Sequence, residues 1–140
     1  MTITVISSDG HSLRQRVELE QFEDLFVDAP AIVGGDESAP DPHDYFDLAL
    51  GACKAITARM YARRKQWPLT RVVATVTRND REERQGRYYL DVELSFEGID
   101  DPAQRQRLLE ISDRCPIHRL MTDATVEIRN QLAPDTGASA

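Results

Sequence analysis

The chain has 140 residues, of which 41% are hydrophobic and 29% are charged, and its formal net charge at pH 7 is -7. This length and balance are typical of one soluble globular domain with its own hydrophobic core. The acidic charge argues against binding to nucleic acid, because phosphate contacts need a basic patch. It argues equally against binding to an anionic membrane surface.

The chain carries no signal that predicts a membrane or secreted location. No stretch approaches the ~20 apolar residues of a membrane span, and the opening MTITVISSDG lacks the basic region and apolar core of a signal peptide. We therefore expect a cytoplasmic protein, in which a disulfide is more often catalytic than structural. The 2 cysteines and 3 histidines show no CxxC or HxxxH spacing, so we expect neither a metal site nor a cofactor.

The first part of the chain predicts three short strands and a loop. Apolar and polar residues alternate over residues 1–7 and 12–20, which is the pattern of half-buried strands, and residues 24–30 predict a short third strand. The segment AIVGGDESAPDP, residues 31–42, is rich in glycine and proline and predicts a loop.

A long helix is predicted over residues 43–66. Asp41 is a suitable N-cap and Pro42 suits the first helical turn. The segment is apolar on most faces, which is typical of a buried helix, so we expect it at the centre of the domain. Trp67 and Pro68 end it.

The remainder predicts a hairpin, two helices and a last strand. Residues 71–79 and 87–98 alternate and are joined by a charged segment that ends in glycine. Further elements are an amphipathic helix from Pro102, a short helix after Cys115-Pro116 and a strand over 123–132. We expect one domain over 1–133 and a disordered tail over 134–140. Because strands and helices are segregated, the fold class is α+β.

Each cysteine taken alone has an ordinary structural explanation. Cys53 lies in the most apolar helix, where a thiol is a small buried hydrophobe with a raised pKa and little reactivity. Cys115 precedes the proline that opens a short helix, so its thiol would lie at the N-cap. Free amide N–H groups and the helix dipole favour a thiolate there.

The two cysteines together carry a resemblance to a known family. GACKAITARMYARRKQWPL, followed by CPIHRLM with the cysteines 115 - 53 = 62 residues apart, resembles the OsmC/Ohr family of hydroperoxide-reducing proteins. The likeness covers about residues 10–130 and includes PDPHDYFDLALGACKA and ISDRCPIHRLM. It implies antiparallel sheets wrapped around a long buried central helix, in an intertwined homodimer whose active sites draw on both chains.

The resemblance also implies a role for each thiol. Cys53 matches the peroxidatic cysteine, whose thiolate attacks the peroxide O–O bond and becomes a sulfenic acid. Cys115 matches the resolving cysteine, which condenses with the sulfenic acid to form a disulfide. An external dithiol then reduces that disulfide by exchange.

The family activates its peroxidatic thiol with an arginine and an acid. The acid follows a proline at the start of the central helix, and Asp44 matches it best, with His43 as the neighbouring alternative. The arginine comes from the N-terminal region, where Arg14 and Arg16 share one face of the predicted second strand. Asp44 is about 13–14 Å from Cys53 along a straight helix. Asp44 therefore needs a bent helix, or it serves a cysteine of the partner chain.

Three further residues are candidates for substrate binding. Tyr45 and Phe46 are expected either in the core or in the wall of an apolar pocket, which would suit a fatty or aryl hydroperoxide better than hydrogen peroxide. His118 lies three positions after Cys115 and either approaches its thiol or packs nearby.

Three functions remain open at this point. The first is a thiol peroxidase that reduces hydroperoxides in oxidative-stress defence with an external dithiol. The second is an OsmC-like stress or small-ligand-binding protein with little peroxidase turnover. The third is a structural dimer with unreactive thiols. The first requires the two sulfurs within disulfide reach, with Cα atoms under about 7 Å apart, and a cation near Cys53.

Overall fold

The computed structural model describes residues 1–8 and 10–134. Two antiparallel sheets form, one of order β1-β2-β3 and one of β4-β5, which confirms the α+β class. The elements are β1 Thr4–Ser7, β2 Gln15–Leu19, β3 Phe22–Val27, α1 Pro42–Lys65, β4 Arg71–Asn79, β5 Tyr89–Glu97, α2 Pro102–Ser112 and α3 Pro116–Thr122.

Helix α1 begins where its sequence signals predict. The Asp41 side chain accepts from the Asp44 backbone N–H at 2.8 Å, and the Asp44 carboxylate accepts from the Asp41 N–H at 2.9 Å. This reciprocal capping box satisfies two amide groups that the first turn leaves without partners. Pro42 fills the first helical position, where no N–H is needed.

The β4–β5 hairpin is regular over its whole length. The pairing runs from Arg71 opposite Glu97 to Asn79 opposite Tyr89 without a bulge. A short 3-10 helix, Glu83–Gln85, lies in the connection that the sequence predicts as a hairpin loop. Side chains alternate in exposure along both strands, so the hairpin offers one face to the rest of the chain.

Helix α1 packs on the β4–β5 hairpin and against α2 and α3. Small residues allow the close approach, and a Cβ atom at Gly51 would lie only 2.9 Å from Cγ2 of Val76 on β4. Beyond this contact, the buried core brings together the end of α1, the start of the hairpin and α2. Its members are Ala58, Ala62, Leu69, Ile99 and Leu108.

Two sequence predictions differ from the structure. Within the chain, α1 is buried on one side rather than all round, since Leu48, Ile56 and Met60 are 58%, 59% and 58% exposed. Residues 123–132 form no strand in the described part of the chain, and Val126 and Ile128 are exposed. An alternating pattern predicts that the two faces of a strand would differ in polarity, but a strand forms only where a neighbouring strand offers an edge for pairing.

No helix in the described ranges is long and apolar enough to cross a membrane. Of the tail predicted to be disordered, residues 135–140 lie outside the described residues. The domain boundary expected at residue 133 stays a prediction.

Candidate functional site

The structure brings the two cysteines together. Cys53 lies half-buried on α1, and Cys115 lies fully buried at the N-cap of α3. Both thiols are free. They are close enough for the Cys53 thiol to raise the pKa of Cys115. Packing of α3 against α1 therefore places side by side two thiols that are far apart in sequence.

The surroundings of Cys115 favour its neutral thiol. Burial raises the pKa of Cys115, and this effect outweighs the backbone N–H of His118, which donates to Sγ at 3.2 Å and lowers it. The Cys53 thiol raises this pKa further, whereas the charge of Lys54 lowers it. The N-cap position predicted for Cys115 is confirmed, and the amide N–H there lowers the pKa of Cys115 as expected, but desolvation is the larger effect and raises this pKa overall.

Lys54 is a cation beside the thiol pair that sequence reasoning missed. Its side chain is almost fully buried, with Nζ 2.9 Å from Nδ1 of His118, 3.2 Å from Oδ1 of Asp113 and 3.4 Å from the Ser112 carbonyl oxygen. Because Nδ1 of His118 accepts from the ammonium, we assign the ring proton to Nε2. A charged residue inside an apolar helix, next to a cysteine, is the sequence signal that could have revealed it.

Asp44, the predicted acid, lies beside an arginine of the hairpin rather than beside Cys53. Its Oδ1 accepts from an amino group of Arg78 at 2.8 Å. The Asp41 backbone N–H, and after it Arg78, hold the pKa of Asp44 below its usual value. His43, the alternative, places Nε2 3.0 Å from a carboxylate oxygen of Glu83. Within one chain, Asp44 and His43 therefore form contacts that hold the start of α1 in place.

Arg78 also forms a partly buried ion pair with Asp47. Its Nε donates to Asp47 at 2.6 Å, and the Tyr88 hydroxyl donates to the other oxygen of the same carboxylate at 2.7 Å. The two carboxylates raise the pKa of Arg78. Burial, and then the bond to Asp47, raise the pKa of Tyr88 to about 12. The group borders a cavity of about 470 Å³, lined also by Leu48, Gly51, Ala52, Ala55, Ala74 and Val76.

The two candidate arginines lie at the three-stranded sheet formed by β1, β2 and β3. Arg16 pairs with Glu18 at 2.8 Å and is half exposed. Arg14 stacks over the Phe26 ring at 4.1 Å and donates to the Ser38 hydroxyl. Among the described residues, neither is joined to a cysteine by a hydrogen bond or ion pair. Their part in activating Cys53 stays a prediction.

Two of the three candidate substrate-binding residues line the same cavity. Phe46 and His118 border a mainly apolar space of about 320 Å³, together with Leu50, Tyr88, Tyr89, Leu90, Met121 and Thr122. Phe46 meets Tyr88 edge to face at 5.9 Å. Tyr45 lies elsewhere, and its hydroxyl donates to the Phe26 carbonyl at 2.7 Å. Tyr45 thus joins α1 to β3.

The family model described as OsmC-like protein matches residues 34–129, a span that includes both cysteines. The chain belongs to the OsmC-like protein family. The resemblance inferred from the two cysteine motifs is thereby confirmed. No curated protein matches the chain.

Solved structures share the fold of this OsmC-like protein. The OsmC-like protein of Mycoplasma pneumoniae has a TM-score of 0.69 at 18% identity, over 87% of this chain and 86% of that one. OhrB, the organic hydroperoxide resistance protein of Bacillus subtilis, has 0.59 at 17%, over 88% and 92%. The organic hydroperoxide resistance protein OsmC of Legionella pneumophila has 0.59 at 18%, over 88% and 90%. At these identities, the likeness establishes the fold.

Proposed function

We propose that this OsmC-like protein reduces organic hydroperoxides by a thiol–disulfide cycle between Cys53 and Cys115. The observation that carries the proposal is the proximity of these two thiols, one on α1 and the other at the N-cap of α3. Two proteins with the same fold, from Bacillus subtilis and Legionella pneumophila, are organic hydroperoxide resistance proteins. This kinship supports a redox role in stress defence.

The difference in burial between the thiols supports a division of labour. Cys53 is the more exposed sulfur, so its thiolate attacks the O–O bond, and the products are the Cys53 sulfenic acid and an alcohol. The buried Cys115 then attacks the sulfur of the sulfenic acid. The S–S bond forms and water leaves. An external dithiol restores both thiols and becomes a disulfide itself.

The cavity lined by Phe46 and His118 supports an organic substrate. Phe46 and Leu50 give it apolar walls, which favour an alkyl or aryl group over the small, polar hydrogen peroxide. His118 connects this cavity to the thiol site, because it is one of the lining residues and its backbone N–H donates to Cys115.

The working unit that we propose is an intertwined homodimer in the cytoplasm. Leu48, Ile56 and Met60 form an exposed apolar stripe along α1, and Val126 and Ile128 are exposed beyond α3. A second copy would bury this surface, which is costly to leave in water. In such a dimer, Arg14 or Arg16 and Asp44 would act on the thiols of the other chain.

Stopped-flow reduction of cumene hydroperoxide by the dithiol protein tests the proposal. We expect rapid oxidation of the wild type and no fast phase for Cys53→Ser. Cys115→Ser should complete a single turnover and leave a sulfenic acid on Cys53 that dimedone traps. Equally slow reaction of the wild type and Cys53→Ser would refute peroxidase function, and a Cys115→Ser protein without a dimedone adduct would refute the assigned roles.

Two observations favour the second candidate, a stress or ligand-binding protein with little turnover. Within the described part of one chain, no arginine is hydrogen-bonded to Cys53, and the neighbouring Cys115 is held as a neutral thiol. That protein would bind a hydrophobic ligand in the Phe46 cavity and react slowly with peroxide. Ligand binding by Cys53→Ser with wild-type affinity, combined with slow wild-type oxidation, would favour this candidate.

A further inference from the structure

Lys54 is a buried ammonium whose charge is only partly compensated. The chain has two lysines, Lys54 and Lys65. The Lys54 side chain is 5% exposed, whereas its carboxylate partner, Asp113, is 67% exposed. A buried charge is costly unless it is well paired, and an ion pair with so exposed a partner is weak. The surroundings of the Lys54 ammonium would therefore stabilise a second negative charge.

The Cys115 sulfur is the group placed to carry that charge. The charge of Lys54 acts on the Cys115 thiol. His118 joins the two groups, with its ring nitrogen 2.9 Å from Nζ of Lys54 and its backbone N–H 3.2 Å from Sγ of Cys115. A thiolate formed at this position would accept from the His118 amide and lie within the electrostatic influence of the ammonium.

We propose that Lys54 stabilises Cys115 as the leaving thiolate when an external thiol opens the Cys53–Cys115 disulfide. This inference rests on the proposed cycle and adds the direction of its reductive step. The reductant's thiolate attacks Sγ of Cys53, the Cys53–Cys115 bond breaks, and its electron pair goes to Cys115. The second thiolate of the dithiol then releases Cys53. The two protons of the dithiol end on the two cysteines, and the reductant leaves as a disulfide.

Access to the two sulfurs favours this direction of opening. Cys53 is half-buried on α1, whereas Cys115 is fully buried at the N-cap of α3, so an incoming thiol reaches Cys53 first. Thiol–disulfide exchange is faster when the leaving thiol has a lower pKa. Burial raises the pKa of Cys115, and the charge of Lys54 offsets part of that rise.

The wild-type protein alone shows which sulfur of the disulfide is attacked. The disulfide is formed with diamide, so this experiment needs no peroxide. It is opened with 2-mercaptoethanol, a monothiol that has no second thiol group with which to displace the cysteine from the mixed disulfide. The reaction is then quenched in acid, and the mixed disulfide is located by mass spectrometry. We expect the mixed disulfide on Cys53. A mixed disulfide on Cys115 would overturn the proposal.

Substitution of Lys54 tests the electrostatic part. We expect Lys54→Met to slow disulfide opening by about tenfold or more at neutral pH, because Cys115 then leaves as a poorer thiolate. Lys54→Arg should restore most of the rate. Lys65→Met is the matched control, the same change at the exposed end of the same helix, and should open at the wild-type rate. Opening of the Lys54→Met disulfide at the wild-type rate would overturn the proposal.

A thiol titration separates charge stabilisation from a structural role. In Cys53→Ser, ultraviolet absorbance follows thiolate formation at Cys115, whose charged and titratable neighbours are Lys54, Asp113 and His118. Adding Lys54→Met should raise the apparent pKa of Cys115, and an unchanged pKa would count against the proposal. Failure of diamide to form the wild-type disulfide would overturn the proposed cycle as well. If the disulfide forms but Cys115 is the sulfur attacked, only the role of Lys54 fails.

Discussion

Nε of Arg78 donates to Oδ2 of Asp47 at 2.6 Å and thereby ties strand β4 to helix α1 through a buried carboxylate. The other oxygen of Asp47 accepts from the Tyr88 hydroxyl, and Arg78 reaches Asp44 as well. These bonds fix the first two turns of α1 on the hairpin. The turns that follow carry Cys53 and Lys54, so this anchor sets the position of the thiol site.

Arg78→Met should strongly destabilise the fold. It leaves the largely buried Asp47 without its cation, and removal of one partner of such a pair costs about 3 kcal/mol of unfolding free energy. Urea denaturation measures this loss. Arg71→Met is the control on the same strand, because its pair with Glu97 is 69% and 46% exposed and is worth under about 1 kcal/mol. Equal losses in the two variants would contradict a special role for the Asp47 pair.

The raised pKa of Tyr88 predicts a loss of stability in alkali. Tyr88 ionises at about 12 in the folded protein but near 10 when unfolded. The folded state therefore holds the proton more tightly, and this stabilisation is complete below pH ~10 and falls as pH rises towards ~12. Tyr88→Phe should unfold with a weaker pH dependence in that window. Tyr89→Phe, at the exposed neighbouring position, should keep the wild-type dependence, and identical curves for both variants would argue against the assignment.

Local sequence signals predicted most of the elements. The Asp41 cap, Pro42 at the first turn and the alternation over residues 71–79 act through neighbouring residues, and the structure places these elements within two residues of the predicted bounds. The position of Cys115 at the N-cap of α3 was predicted from a local signal of the same kind. Residues 123–132 alternate equally well, but the described chain offers them no paired edge.

Contacts between distant segments could not be predicted in this way. Lys54 reads as one polar residue in an apolar helix, and its partners lie 58–64 residues further along the chain. Arg78 reads as one polar position of an alternating strand, although it binds carboxylates 31 and 34 residues earlier. Asp47 lies near the start of a helix, where a carboxylate is common, yet it is buried and bonded to that arginine. These contacts depend on how α1 docks on the hairpin.

The depressed pKa of Asp28 predicts a loss of stability in acid. Its carboxylate accepts from the Ser38 hydroxyl and N–H and from the Ala29 N–H, and these bonds, the Ser38 hydroxyl first, lower the pKa to about 2. The unfolded carboxyl titrates near 3.9, so this stabilisation is complete above pH ~4 and disappears as pH falls to ~2. Asp28→Asn should be less stable than the wild type at pH 7, and the difference should shrink between pH 4 and 2. A constant difference across that range would show that Asp28 titrates normally.

Two glycines with similar backbone conformations should tolerate alanine very differently. Gly98 ends β5 with φ 93°, and a Cβ atom there would lie 2.3 Å from the Pro68 carbonyl oxygen. Gly86 has φ 85° with nothing within 4 Å of the same position. Gly86→Ala should therefore lower the free energy of unfolding only by the strain of an alanine in left-handed backbone, about 1 kcal/mol. Gly98→Ala adds a clash with rigid backbone and should cost about 3 kcal/mol or more. Urea denaturation of both variants measures the difference, and equal costs would mean that the Pro68–Thr70 segment yields without penalty.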